Sequence, residues 1–296
     1  SLHDALPILH FVLSSSLDWQ DICNKLVVPK TLEDLEVRLT RLAEDLNAKY
    51  SDDSLFFQSL KKLDKLKAVK LSFLTQTILS HTHKLNLLKA IIRNIESQEL
   101  TSISCQDYTV QKNYIEGLAK DDQFLEILEK FPKLSSLLID LKMKVVPKAS
   151  ISNILVNIQE ASLSAYTYLD ISSFVELKNL QSLTLSFHEE AELEFHNLVF
   201  KMMRRSKKLK AISIHSPLRE ETPMELLQNF CSLCLSFPSL QSLEAHFSSL
   251  EMPENNAKSL FKYLPDSGLL RDVLIWFKNL FITRNADRAY HVNRRT

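Results

Sequence analysis

A short pattern, L-x-x-Φ-x-Φ with Φ apolar, returns along the chain too regularly to be accidental. It starts at Leu32 (LEDLEVRL), Leu66 (LKAVKLSF), Leu100 (LTSISCQD) and Leu134 (LSSLLIDL), each 34 residues after the one before. It returns at Leu163 (LSAYTYLD), Leu180 (LQSLTLSF), Leu209 (LKAISIHS), Leu240 (LQSLEAHF) and Leu270 (LRDVLIWF). Two lead-ins are near copies, FPKLSSL over Phe131–Leu137 and FPSLQSL over Phe237–Leu243. A recurring step of this size marks stacked structural units rather than one closed core.

Within each segment apolar and polar residues alternate, which is the period of a half-buried strand. Between segments the period changes. Ile78, Leu85, Leu88, Ile92 and Ile95 share one helical face, as do Leu226, Phe230, Cys234 and Phe237. Pro132 and Pro238 stand where a proline helps end the preceding helix. The expected unit is therefore strand, loop and helix, repeated about eight or nine times. No single unit buries its own apolar face, so the strands stack in parallel with helices as crossovers. The fold class expected is α/β, a solenoid over 32–280. Residues 1–31 form an N-terminal flank or cap, and 281–296 a C-terminal tail, polar and aperiodic over Arg284–Thr296. The step from Leu163 to Leu180 leaves room for little helix and predicts a break in curvature.

These segments resemble the leucine-rich-repeat family, in its longer ribonuclease-inhibitor-like form. The resemblance implies a horseshoe with a parallel sheet on its concave face and a non-catalytic protein–protein interaction scaffold. The family places Asn or Cys at the ninth position of its pattern, where the side chain ladders to the neighbouring turn. Here that position holds Thr40, Leu74, Tyr108, Lys142, Ile171, His188, Pro217, Ser248 and Lys278, so an irregular horseshoe is expected. The period also fits tetratricopeptide helical hairpins, but those want a glycine where two helices turn, and LTLSF and ISIHS alternate as strands do. The stretch Leu6–Ile22 (LPILHFVLSSSLDWQDI) is similar to part of an F-box, which implies a substrate adaptor of a ubiquitin ligase. A structural solenoid without a ligand is the third reading.

Composition excludes several chemistries. Only 2 of 296 residues are glycine, where average usage of roughly 7% would give about 20. With Gly117 and Gly268 so far apart, neither a phosphate loop nor a dinucleotide fingerprint nor a nucleophile elbow can be written. Lys+Arg and Asp+Glu are both 36, for a formal net charge of zero. That balance speaks against a nucleic-acid or membrane-surface partner. Four scattered cysteines and the lack of any Asn-x-Ser/Thr acceptor point to an intracellular, cytoplasmic setting. The chain opens on Ser1 rather than Met and is read as a piece of a longer one, so its first residues are given no structural weight.

Motifs with possible chemistry each have a plainer account. Cys231-Ser-Leu-Cys234 is a C-x-x-C without a second pair, inside an amphipathic helix between Phe230 and Phe237, and reads as core packing. Cys105 fills an apolar repeat position equivalent to Leu71 and Ile139. His81 and His83, and His188 and His196, lie on different units and complete no metal set. The acidic run Glu189, Glu190, Glu192 and Glu194 precedes Lys201, Arg204 and Arg205. As one helix over 189–205 this puts anions at the N-terminus and cations at the C-terminus, as the macrodipole favours. No cofactor, metal or catalytic set is expected.

The outward strand positions are where binding is expected. Glu36, Lys70, Ser104, Thr184, Ser213 and Glu244 form one row. Arg38, Ser72, Gln106, Asp140, Leu169, Ser186, His215, His246 and Trp276 form the next. Its C-terminal end sets two histidines beside an exposed tryptophan, with Glu244 and Leu274 alongside. Tryptophan leads among interface hot spots, so His215, Glu244, His246, Leu274 and Trp276 are the candidate contacts of a monomeric chain for a protein partner. The competing account places Trp276 beneath the C-terminal residues as a cap.

Overall fold

The computed structural model describes residues 8–13, 23–39, 54–74, 81–107, 119–121, 124–139, 143–145, 157–165, 179–187, 207–216, 224–234, 237–264, 269–284 and 289–295. The chain divides into two compact units, 1–157 and 158–296.

In the first unit the strands are β1 (Ile8–Leu13), β2 (Asp34–Leu39), β3 (Ala68–Phe73), β4 (Ser102–Asp107), β5 (Ala119–Asp121), β6 (Ser136–Ile139) and β7 (Met143–Val145). β1, β2, β3, β4 and β6 pair in parallel in that order, and β5 pairs with β7. Helix α1 (Leu55–Leu60) joins β2 to β3, α2 (His81–Arg93) joins β3 to β4, and α3 (Phe124–Leu128) precedes β6. The 34-residue period is the register itself. Leu35, Val69, Ile103 and Leu137 stand side by side, and next to them Val37, Leu71, Cys105 and Ile139. All eight are buried, the seven aliphatic side chains each contributing about 1.5–3 kcal/mol.

A backbone device fixes the same register. The carbonyl of the residue after each repeat leucine accepts two N–H groups of the next unit. Glu33 O takes those of Lys67 and Ala68, Lys67 O those of Thr101 and Ser102, and Thr101 O those of Ser135 and Ser136. Beside it run ion pairs from Lys67 to Glu33 at 2.6 Å and from Lys133 to Glu99 at 2.7 Å.

The helices fit their sequences. Ser54 caps α1 by accepting the Phe57 N–H, and Phe56 and Phe57 are buried. On α2, Leu85, Leu88 and Ile92 face inward with Lys84, whose ammonium pairs with Asp107 at 2.8 Å and lies 5.4 Å from the Phe73 ring. At the far end of α2 the Lys130 ammonium donates to the Arg93 carbonyl at 2.7 Å, a cation at the negative end of the dipole.

The second unit runs β8 (Glu160–Ala165), β9 (Ser182–Phe187), β10 (Ala211–His215), β11 (Ser242–Phe247) and β12 (Asp272–Phe277), all parallel. β13 (Leu280–Arg284) and β14 (Tyr290–Arg294) follow antiparallel. Helix α4 (Met224–Cys234) links β10 to β11, and α5 (Glu254–Ser259) links β11 to β12. The carbonyl ladder continues through Gln159, Gln181, Lys210 and Gln241. Leu226, Phe230, Cys234 and Phe237 are buried, and Phe230 meets Phe247 edge-on at 5.8 Å. Burial pushes the Cys231 thiol up to about 12 and raises that of Cys234 as well.

Four expectations need correcting. The repeat assigned to Leu163 begins at Ile158, because Gln159 carries the ladder carbonyl and Leu163 pairs with Leu185 rather than with Leu180. The steps around it become 24 and 22 residues, and Ser164, not Leu169, stands opposite Ser186. Within 1–31, expected as a flank or cap, β1 continues the repeat register with Leu9 beside Leu35 and Phe11 beside Val37, so the strand ladder starts before Leu32. Residues 281–296 are not an aperiodic tail. They form a hairpin against β12, with Ile282 buried and Arg284 satisfied inside by donating to the Leu270 carbonyl at 2.8 Å; the last parallel strand otherwise ends in an unpaired edge. Finally, Asn279 does bridge neighbouring turns, one residue after Lys278. Its amide accepts the Met252 N–H and donates to the Met252 carbonyl, both at 2.9 Å. The helix expected over 189–205, with His188 and His196, lies outside the described residues, as do Asp140 and Leu169.

Candidate functional site

Alternation along β10, β11 and β12 sends Ile212, Ile214, Leu243, Ala245, Val273 and Ile275 into the core. Their neighbours are left on the opposite face. Register sets His215 beside His246, His246 beside Trp276, and Trp276 beside Phe281 of β13. Neighbouring strands lie roughly 4.8 Å apart, close to the separation at which flat rings stack. The rings do so. His215 and His246 are 4.5 Å apart between centroids with planes 13° from parallel. His246 and Trp276 are 6.1 Å apart at 7°, and Trp276 and Phe281 5.1 Å apart at 27°. The guanidinium of Arg295 lies 5.1 Å from the Trp276 centroid.

Below the histidines runs a polar chain. The Ser213 hydroxyl donates to Glu244 Oε2 at 3.3 Å, and His246 Nε2 donates to Glu244 Oε1 at 2.7 Å. Ser213 Oγ also lies 3.3 Å from His215 Nε2. The hydrogen bond from His246, then the Ser213 hydroxyl and both imidazoles, hold the Glu244 carboxyl below the usual range despite some burial. Desolvation of its crowded ring, and then the neighbouring His246, push the His215 imidazole below its ordinary value against the pull of Glu244. Hydroxyl, carboxylate and imidazole are all present, but the carboxylate sits between Ser213 and His246. The Ser213 hydroxyl lies at the same 3.3 Å from Glu244 Oε2 and from His215 Nε2, and no second carboxylate among the described residues orients His215 as a base. The arrangement holds rings and a charge in place.

The five candidate residues therefore stand together. His215 is exposed, while Glu244, His246, Leu274 and Trp276 are half-buried. Leu274 lies between Glu244 and Thr283 in register. Trp276 is not the exposed ring expected, because Phe281 and Arg295 flank it and its indole Nε1 is buried without a partner among the described residues. Phe281, Ser213 and Arg295 also belong to the cluster; Ser213 stood in the outward row read from sequence, whereas Phe281 and Arg295 fell in the expected tail. Among the described residues no group of three or more His, Cys, Asp or Glu could hold a metal ion, and no helix is long and apolar enough to cross a membrane.

The chain matches no known family profile and no curated protein sequence. Among solved structures, a complex of TLR13 with ssRNA13 is similar over 79% of this chain and 36% of that one. The sequence identity is 14% and the TM-score 0.38, a distance at which function does not transfer.

Proposed function

We propose that this chain is a leucine-rich-repeat solenoid, a horseshoe of about eight or nine strand–helix units, and that it acts as a non-catalytic scaffold for a protein partner. The partner meets the outward strand positions of the second unit through His215, Glu244, His246, Leu274 and Trp276. The observation that carries this reading is the stack of rings from His215 to Phe281 on the face opposite the core. The core is complete without these rings, and aromatic side chains lose little conformational entropy when they meet a partner. The test is cross-linking in cells followed by mass spectrometry, repeated with His246→Ala. A partner captured by the native chain and lost with His246→Ala, while that variant stays folded with only a small fall in melting temperature, supports the scaffold. A set of captured proteins that is the same for both chains removes it.

A further inference from the structure

The ring stack has two unlike ends. At the β12 end, Trp276 is flanked by Phe281 and by the guanidinium of Arg295. At the β10 end, His215 faces Ser186 of β9 in register, and among the described residues its only ring neighbour is His246. Beyond His215 the outward positions of β9 are Ser182, Thr184 and Ser186, all short hydroxyl side chains. The stack therefore ends in a step, with one imidazole face above a low polar floor.

Charge on this face has one sign. Across β9 to β12 the outward residues are Ser182, Thr184, Ser186, Ala211, Ser213, His215, Ser242, Glu244, His246, Asp272, Leu274 and Trp276. Their formal charges at neutral pH are those of Glu244 and Asp272, and neither lysine nor arginine is among them. Glu244 leaves 43% of its side chain exposed. The nearest cation on the ladder, Arg295, lies at its opposite end.

Resting on the protein-binding reading above, we infer that the open end of the ladder takes an arginine side chain from a basic segment of the partner, its guanidinium stacked on His215 and balanced by Glu244. A guanidinium is planar, stacks on aromatic faces and carries donors for nearby acceptors. The hydroxyls of Thr184, Ser186 and Ser213 and the Glu244 carboxylate supply such acceptors. The chain itself makes contacts of this kind, with Arg295 against Trp276 and Arg284 over Tyr290. An acidic segment would meet the Glu244 and Asp272 carboxylates, with no lysine or arginine among the outward strand positions of β9 to β12, and a purely apolar one would desolvate Glu244 without replacing its hydrogen bonds.

Protonation should oppose this binding. The groups that face His215 are Ser213, His246 and Glu244, with Trp276 and Asp272 further along the face and Arg295 at its end. As pH falls, the His215 imidazole becomes cationic and repels the guanidinium stacked on it. Panning a random displayed peptide library against the folded chain tests the inference. Enriched peptides should carry arginine. Replacing that arginine with lysine, or Glu244 with Gln in the protein, should each weaken binding about tenfold. Affinity should also fall between about pH 7.5 and about pH 5.5. Enriched peptides that are acidic or uncharged, yet lost with His215→Ala, overturn the arginine inference and leave the protein-binding face standing. Peptides indifferent to both His215→Ala and Glu244→Gln, or no enrichment at all, overturn the inference and the face together.

Discussion

The outward faces of the two units are built on the same strand register and are chemically opposite. In the first unit Glu36 accepts hydrogen bonds from Arg38 at 2.9 Å and Lys70 at 3.3 Å, and only 10% of its side chain is exposed. Burial alone would raise its pKa, yet the two cationic neighbours hold the carboxyl below the usual range. In the second unit the corresponding row places Glu244 between a hydroxyl and an imidazole, with the ring stack beside it and, among the described residues, no lysine or arginine against it. Core packing dictates neither outcome, because these side chains point away from the core. One face is internally neutralised and the other presents rings and an incompletely balanced carboxylate, which is why the binding proposal rests on the second unit.

The largest effect that tests this difference lies in the first unit. Lys84 and Asp107 form a buried ion pair with side chains 3% and 9% exposed. Removing one member of a buried pair leaves an uncompensated charge, at a cost of about 3–5 kcal/mol. Lys84→Met should therefore lower the denaturant midpoint strongly, and Lys84→Met with Asp107→Leu should recover much of the loss. If Lys84→Met alone is neutral, the first unit does not depend on internal charge pairing as described.

A smaller loss is expected in the second unit. Trp276 is half-buried and stacked on two rings, each such pair being worth about 0.5–1.5 kcal/mol beyond burial. Trp276→Ala should cost about 2–3 kcal/mol, whereas His246→Ala should cost about 1 kcal/mol, since its ring is smaller and less apolar. Equal losses would mean that the ladder is one structural element with no end reserved for a partner.

Much of the strand register was legible because alternation and the 34-residue period agree, and a one-residue slip would turn every leucine out of the core. The error at Leu163 has a physical source. LSAYTYLD fits the apolar pattern, but the register is set by the Gln159 carbonyl, and a backbone hydrogen bond leaves no mark on side-chain pattern. The hairpin over 280–294 was hidden because Arg284 and Asn293 sit where apolar residues announce a strand, their polar groups satisfied by Leu270 O and Thr283 Oγ1. For the candidate site, register predicted the His215, His246 and Trp276 row. The stack's end at Phe281 and the Glu244 hydrogen bonds depend on the hairpin and on rotamers, neither of which a spacing rule reports.

Acidification should separate the two faces. His215 lies below its usual 6.5 when folded, so the unfolded chain takes up that proton first as pH falls. This contribution to stability is intact above 6.5 and declines below it. Glu36 and Glu244 lie below the usual 4.5, so their contributions are present above 4.5 and are lost only as pH falls through their lower folded values. With Trp19→Phe making Trp276 the sole fluorescent reporter, the second unit should begin to lose stability near pH 6.5. His215→Gln should remove the change between 6.5 and 4.5. A profile that is flat above 4.5 in the native chain contradicts the geometry assigned to the stacked imidazoles.

The smallest effect concerns the ladders beside the strands. In the first unit the periodic contacts are ion pairs, including Lys133 with Glu99 at 2.7 Å, both roughly half exposed. In the second unit the corresponding contacts end on amides, with Gln181 bonded to Gln159 and Lys210 to Gln181. Exposed ion pairs contribute about 0.2–1 kcal/mol and are screened by salt, whereas amide acceptors bring no opposite charge to screen. Lys133→Gln should therefore cost less than about 1 kcal/mol at low salt, and the difference from the native chain should vanish near 1 M salt. Lys210→Gln should show little salt dependence in its effect. Parallel salt responses of the two variants would mean that the first unit draws no more on charge than the second, which removes the contrast between the two units at its weakest link.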